Sequence, residues 1–198
     1  MSYYEAEELQ EMGFAACGKN VRISRKASIY NPSAISIGDH VRIDDFCVLS
    51  AGDGGIEIGN FVHIAVFCSL IGSCNIKLAD FCGLSSRVSI YSSSEDFSGK
   101  TMTNPMVPEE YKNVIHKPVY LGKHVIVGSG SVILPGAHLE EGVAIGALSL
   151  VTKRCMAFGV YAGVPARRVK DRKRDLLALE QRLMETLVKA KCDIRHEV

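Results

Sequence analysis

The sequence predicts an all-β solenoid: a three-sided prism of stacked coils, opened by a short helix, interrupted once by a long extruded loop and closed by a second helix. Three observations predict it. Aliphatic residues head six-residue units along most of the chain, as at Ile37 ("IGDHVR"), Ile43 ("IDDFCV"), Ile58 ("IGNFVH"), Ile64 ("IAVFCS") and Leu70 ("LIGSCN"). The fifth place of each unit is small or short, as at Val41, Cys47, Val62, Cys68, Cys74, Cys82, Val88 and Ala137. After a gap from 91 to 117 the six-residue beat resumes at Leu121 and runs without a slip through Val127, Ile133, Leu139 and Ile145.

A period of six suits neither an α-helix nor the simple alternation of a half-buried strand. It suits a coil in which each unit makes one flat face and one corner, with the large and the small residue both pointing inward. Three units close one coil, and stacked coils pair their backbones as parallel ladders, so each coil needs its neighbours. Glycine in the second place of many units (Gly18, Gly38, Gly59, Gly122, Gly128, Gly146) suits tight corners. The spacing from Ile37 to Ile58 and from Ile58 to Leu78 exceeds eighteen residues, so the extra residues must bulge out as small loops.

The chain divides into residues 1–16, 17–170 and 171–198. The first carries "YYEAEELQEM" over 3–12, a short helix stopped by the following Gly-Phe and suited to capping the open end of the prism, where free strand edges invite aggregation. The middle is the prism, with the loop 91–117. The last carries Leu176, Leu179, Leu183 and Leu187 at helical steps, a packing face. Pro165, in "AGVPA", is expected to turn the chain off the prism and block a further strand.

Composition narrows the function. The chain of 198 residues is 47% hydrophobic and 7% aromatic, without Trp, which suits one aliphatic core. A net charge of +1 offers no bulk attraction to nucleic acid or to a membrane surface. No apolar stretch approaches the length of a membrane span, and the acidic N-terminus lacks a signal-peptide hydrophobic region, so the expected compartment is the cytoplasm. Seven cysteines, with no CxxC pair, argue against a disulfide framework and against zinc. Four of them (Cys47, Cys68, Cys74, Cys82) occupy the small fifth place and read as buried fillers.

The stretch "IVGSGSVILPGAHLEEGVAIGALSLVTKRCMAFGVYAGVPARRVK" resembles the C-terminal coils of the hexapeptide-repeat acyltransferases, in particular the galactoside, maltose and xenobiotic acetyltransferase group and the amino-sugar N-acetyltransferases of the GDP-perosamine type. The resemblance covers residues 17 to 170. It implies a left-handed parallel β-helix, acetyl transfer from acetyl-CoA without a metal, and a homotrimer. In that trimer an extruded loop from one subunit helps to build an acceptor site in the cleft between prisms. It also implies that Ser129 and Gly130 border the thioester, that Ala147 and Ser149 lie along the pantetheine arm, and that Lys153, Arg167 and Arg168 face the phosphates, where a guanidinium fork or an ammonium suits the anion.

Acyl transfer from a thioester needs a placed acceptor atom, a base if that atom is a hydroxyl, and donors for the oxyanion. In the galactoside group the base is a histidine just after the unit that leads into the loop; here Glu95 stands there, beside Asp96. Three arrangements meet the need. Glu95 or Asp96 serves as base or binds the acceptor; His116, at the far end of the loop, folds back into the cleft; or the acceptor is an amine that attacks unaided, docked as its ammonium by the carboxylates. Tyr91, Asn104 and His63 are candidate contacts to the acceptor, His63 being read as a corner residue. The preferred acceptor is a nucleotide-linked amino sugar of a surface polysaccharide such as O-antigen. The alternatives are O-acetylation of a galactoside- or maltose-like sugar and a non-catalytic scaffold.

Overall fold

The computed structural model describes residues 2–196, with side chains through Val188; Met1, residues 197–198 and the side chain of Cys192 lie outside the described residues. The chain winds into a left-handed parallel β-helix with three faces. The first face joins six strands, Ala16–Cys17, Ile35–Ile37, Ile56–Ile58, Ile76–Leu78, Val119–Leu121 and His138–Leu139. The second joins eight: Arg22–Ile23, Arg42–Ile43, His63–Ile64, Gly83–Leu84, Ile126–Val127, Ala144–Ile145, Gly159–Ala162 and Arg167–Asp171. The third joins six, from Ser28–Tyr30 through Ser69–Gly72 and Ser89–Tyr91 to Leu150–Val151.

The unit heads fill the prism. Ile23, Ile43, Ile64, Leu70, Ile90, Leu121, Val127, Ile133 and Leu139 are all fully buried. Their registers run coil to coil without slippage, as in Leu49↔Leu70↔Ile90↔Ile133. Cys47, Cys68 and Cys82 lie inside as expected, and each thiol donates to a carbonyl of the following coil, Ala65 O at 3.0 Å, Ser85 O at 3.1 Å and Gly122 O at 3.2 Å. Cys74 does not lie inside. The strand Ser69–Gly72 ends before it, and the chain turns outward until Ile76 re-enters the core, so Cys74 is only partly buried in one of the small bulges.

The corners also differ from expectation. The left-handed residue is in the fourth place of the first unit, at Asn20, His40, Phe61, Phe81 and His124 (φ 55° to 61°), not at the second-place glycine. Gly18, Gly38 and Gly59 serve close stacking instead: a Cβ on Gly38 would come 2.8 Å from the Gly59 backbone. The fourth-place rings then stack along the edge, His40 on Phe61, Phe61 on Phe81 and Phe81 on His124, with centroids 4.6 to 4.9 Å apart.

At the N-terminus, helix Ala6–Glu11 places Leu9 in the core, and Glu8 pairs with Arg25 of the first coil (Nη1···Oε1 2.8 Å). At the other end, Pro165 does not stop the sheet. It sits in a turn, where its missing N–H is not needed, and Arg167–Asp171 returns antiparallel on Gly159–Ala162. Helix Asp175–His196 follows and packs on the stacked edge. Glu180 accepts from His124 Nε2 at 2.7 Å and pairs with Lys123, while Met184 and Leu187 border a cavity with Phe61 and Phe81. The facing positions are thus 180, 184 and 187; Leu179 and Leu183 of the expected stripe point outward, 61% and 40% exposed.

Candidate functional site

The sixth place of each first unit points outward from the second face, and the strand registers align these residues in one column: Arg22, Arg42, His63, Gly83, Ile126, Ala144, Val160 and Lys170. The column has a chemical order. Cations open it, Ile126, Ala144 and Val160 form an apolar track in its second half, and a cation closes it. Gly83 in the middle is the one position without a side chain. It adjoins an open groove lined by His63, Ala65, Ser85, Ser86, Ile126 and Ser129.

His63 lies on a face strand, not at a corner, and its ring is held back toward the preceding coil. Its Nε2 is 2.9 Å from Oδ2 of Asp44, whose Oδ1 accepts from Arg42 Nε at 2.7 Å. Asp44 is 3% exposed. Burial pushes its carboxyl up, but the hydrogen bonds and charges of Arg42 and His63 outweigh that and leave it below its ordinary value. Asp44 therefore stays ionised and accepts from His63 Nε2, which holds the ring at the edge of the groove.

Ser129 is exposed on the rim of this groove, and Gly130, at φ +71°, forms the corner beside it with its N–H bonded to Ser86 O at 3.0 Å. Ala147 lies exposed one coil on. Ser149 does not face the groove: it is 2% exposed, its hydroxyl donates to Gly146 O at 2.8 Å and it accepts from Gly163 N–H at 3.1 Å. Its hydroxyl belongs to the scaffold. Lys153, Arg167 and Arg168 come together around one shallow cavity with Arg154 and Tyr161, and Arg168 is already paired with Asp171 at 2.6 Å.

The loop residues sit at another corner of the prism. Ser93–Ser94 pairs antiparallel with Ile115–His116 where the third face gives way to the first, closing the base of the loop. Ser93 Oγ accepts from Ser73 N–H at 2.9 Å and lies 2.8 Å from His116 Nδ1, so the expected folding back of His116 is replaced by a place in the base ladder. Asp96 turns inward to the loop, accepting from Ser98 N–H at 2.8 Å and Thr101 Oγ1 at 2.9 Å; those bonds hold its carboxyl low. Asn104, at φ +81°, accepts from Met106 N–H at 2.8 Å and shapes its own turn. Tyr91 is in register with Ile71 on the third face. Glu95 is the exception: its Oε2 is shut off from solvent and makes no hydrogen bond within the described residues. None of the residues lining the groove comes from the loop.

Sequence reasoning missed Asp44, Gly83, Ser85 and Ser86. The signal was available, because reading the sixth place down the chain gives Arg, Arg, His, Gly, Ile, Ala. Among the described residues, no group of three His, Cys, Asp or Glu is placed to hold a metal ion, and no helix is long and apolar enough to cross a membrane.

No protein-family model matches the chain. A dTDP-4-amino-4,6-dideoxy-D-glucose acyltransferase from Escherichia coli is 53% identical over 180 residues, covering 91% of this chain and 94% of that one. The chain belongs to the hexapeptide-repeat acyltransferases. Another member, the N-acyltransferase AntD from Bacillus cereus, is 45% identical in its complex with dTDP and 3-hydroxybutyryl-CoA, with a TM-score of 0.89 over 94% of this chain and 98% of that one. A variant of AntD has been solved with dTDP-4-amino-4,6-dideoxyglucose and coenzyme A, and superposes with a TM-score of 0.91 at 46% identity over 93% of this chain and 98% of that one. A maltose O-acetyltransferase from Clostridium difficile 630 shares the fold alone, with 22% identity and a TM-score of 0.58 over 85% of this chain and 75% of that one. The expected family is thus shown, and this acyltransferase stands far nearer to the dTDP-amino-sugar members than to the maltose enzyme.

Proposed function

We propose that the chain is an acyl-CoA-dependent N-acyltransferase acting on a nucleotide-linked amino sugar, of the dTDP-4-amino-4,6-dideoxyhexose kind that its relatives' names give, in the making of a surface polysaccharide. The observation that carries the reading is the chemical order of the second-face column: cations at both ends, an apolar track and a bare step between them. Both substrates of such a reaction are long anions, each with a diphosphate toward one end and its reactive group at the other. Laid head to head along one face, they meet in the middle.

The spacing suits them. Strands stack about 4.8 Å apart, so Gly83 lies roughly 19 Å from Lys170 and roughly 14 Å from Arg22. The acyl-CoA phosphates take the end bearing Lys153, Arg167 and Arg168; the pantetheine follows Ala147, Ala144 and Ile126; the thioester reaches Ser129 and Gly130. The nucleotide diphosphate takes the end bearing Arg22 and Arg42, and His63 contacts the sugar. The acceptor, docked as its ammonium, first loses one proton to solvent; its neutral amine nitrogen then attacks the thioester carbonyl, the C–N bond forms and the C–S bond breaks. The proton shed by nitrogen leaves with the sulfur as coenzyme A thiol.

The remaining group comes from a second copy of the chain. The loop exposes Phe97, Met102, Met106 and Tyr111, with Phe97 and Met106 at 92% and 90%, an apolar load with no cover in one subunit. The unpartnered Oε2 of Glu95 stands at a different corner from the groove. A homotrimer in which each loop covers its neighbour's groove gives that apolar load its cover, and docking of the loop would turn the Glu95 carboxylate, whose Oε2 is enclosed in the single subunit, toward the acceptor's ammonium. The compartment is the cytoplasm, where acyl-CoA and nucleotide sugars are available.

A thiol-release assay with acetyl-CoA and 3-hydroxybutyryl-CoA against dTDP-4-amino-4,6-dideoxyglucose, GDP-perosamine, a galactoside and maltose tests the reading. Turnover is expected on the dTDP-linked amine. Faster turnover on the simple sugars overturns it.

A further inference from the structure

Gly83 is a glycine that the fold does not require. Its φ is not in the left-handed region, unlike the eight glycines whose φ is positive. A Cβ built on it would meet only Ile126 Cγ1, at 3.9 Å, an ordinary van der Waals distance. The contrast with Gly38 and Gly59 is sharp, because a Cβ on either would collide with the next coil's backbone. Glycine in a strand interior weakens the strand and packs nothing, and where no bulge or crowding demands it, the close approach of a ligand or of another backbone is the remaining cause; the apolar track that leads to Gly83 along the column favours the ligand. Every other member of the column carries a side chain. The two neighbours also leave the space open: His63 is drawn toward Asp44 in the preceding coil, and Ile126 stops 3.9 Å short.

We infer that the notch over Gly83 is the acyl pocket, and that the absence of a side chain there sets the length of acyl chain the enzyme can transfer. The inference rests on the acyl-transfer reading above and deepens it. A thioester delivered along the Val160–Ala144–Ile126 track arrives at the notch from the Ile126 side. The acyl carbons extend past the sulfur in the direction of travel, so they are the part of the donor that passes over Gly83. The hydroxyl-bearing Ser85, Ser86 and Ser129 border the same space, which suits an acyl group with a polar substituent on its chain. The acceptor, coming from Arg22 and Arg42, meets His63 first and stops short of the notch.

The test compares wild type with Gly83→Ala and Gly83→Val. Both variants should unfold cooperatively at or above the wild-type temperature, because the added carbons enter open space and a β-branched residue suits a strand. Steady-state kinetics with acetyl-CoA and with 3-hydroxybutyryl-CoA then give a ratio of kcat/KM values. Gly83→Val should shift that ratio toward acetyl by at least about tenfold, Gly83→Ala by less, the range in which pockets sort substrates by one or a few carbons. Calorimetry with the two thioesters and no acceptor should show the same order of discrimination. An unchanged ratio in active variants overturns the acyl pocket and leaves the acyl-transfer reading standing. A variant that fails to fold also overturns it, by making Gly83 structural. Wild type that transfers neither acyl group to the dTDP-linked amine overturns both readings.

Discussion

Replacing Asp44 with Asn isolates the charge that orients His63. Asp44 is 3% exposed and shared by Arg42 and His63, whose side chains are 46% and 49% exposed. Asn keeps the volume but removes the charge and one of two acceptor oxygens. Breaking a fully buried pair costs about 3–5 kcal/mol, but here the partners are half in water, so the value for hydrogen bonds to charged groups, about 1.5–3 kcal/mol, is the better measure. Urea unfolding at constant m reads it. The pH dependence fixes the cause. The folded carboxyl titrates below its unfolded value near ~3.9, so its contribution is present above that value and is lost as pH falls through the lower folded one. The wild-type advantage should therefore hold from about pH 8 to pH 5 and shrink below about pH 4. In the same variant the KM for the nucleotide sugar should rise while that for acyl-CoA holds, because only the acceptor end of the groove loses its fixed imidazole. A stability difference under about 0.5 kcal/mol, the scatter of ordinary surface changes, together with an unmoved acceptor KM, would refute the reasoning.

The other predictions are these. Lys153→Ala and Arg167→Ala should each raise the KM for acyl-CoA about tenfold, as a lost charge-assisted hydrogen bond does, and leave the acceptor KM in place; a rise in the acceptor KM instead would reverse the polarity of the groove. Glu95→Gln should lower kcat/KM by about ten- to a hundredfold at neutral pH, with a thermal transition no lower than wild type, since it relieves an unpartnered buried oxygen; unchanged kinetics would move the ammonium site elsewhere. Among the cysteines whose side chains are described, maleimide labelling of the native protein at about pH 8 followed by mass spectrometry should modify exposed Cys17 first and spare Cys82 and Cys155, whose thiols burial pushes up to about 12 and about 11. Labelling of Cys82 at the rate of Cys17 would mean that the coils open.

The fold was legible because the inward places repeat a strong apolar signal, and Ile64, Leu70 and Leu84 are as buried as the beat required. Its errors came from counting units through places where the chain leaves the prism. Cys74 keeps the beat in sequence, but the strand before it ends at Gly72, so it falls in the bulge. The glycines were read for backbone freedom when the stacked coils demanded them for proximity, a contact that only the third dimension reveals. The site was less legible because its residues are the outward ones. Asp44 is a buried carboxylate whose partners lie two and nineteen residues away, and Gly83 matters for the side chain it lacks. Ser149 failed in the opposite sense, since a small residue in the fifth place is an inward residue by the repeat's own rule.

The pause in the rhythm between Tyr91 and Lys117 shows how such a protein gains a long loop without losing its fold. The ladder is blind to the insertion: Ile76, Lys77 and Leu78 pair with Val119, Tyr120 and Leu121 as they pair with Ile56, Glu57 and Ile58 on the other side. This is possible because the loop leaves and re-enters at one corner, where Ser93–Ser94 and Ile115–His116 zip its ends together and Lys117 N–H bonds Ser92 O at 3.0 Å. With its base closed, the cost of lengthening the loop grows only slowly with its length. Ser92, fully buried, ties that base to the coil beneath by donating to Cys74 O at 2.6 Å. His116, bonded to Ser93 in this clasp, therefore anchors the loop at its base. Glu95, one residue beyond the clasp, is the first that the prism no longer constrains, and its Oε2 is left without a hydrogen-bond partner among the described residues.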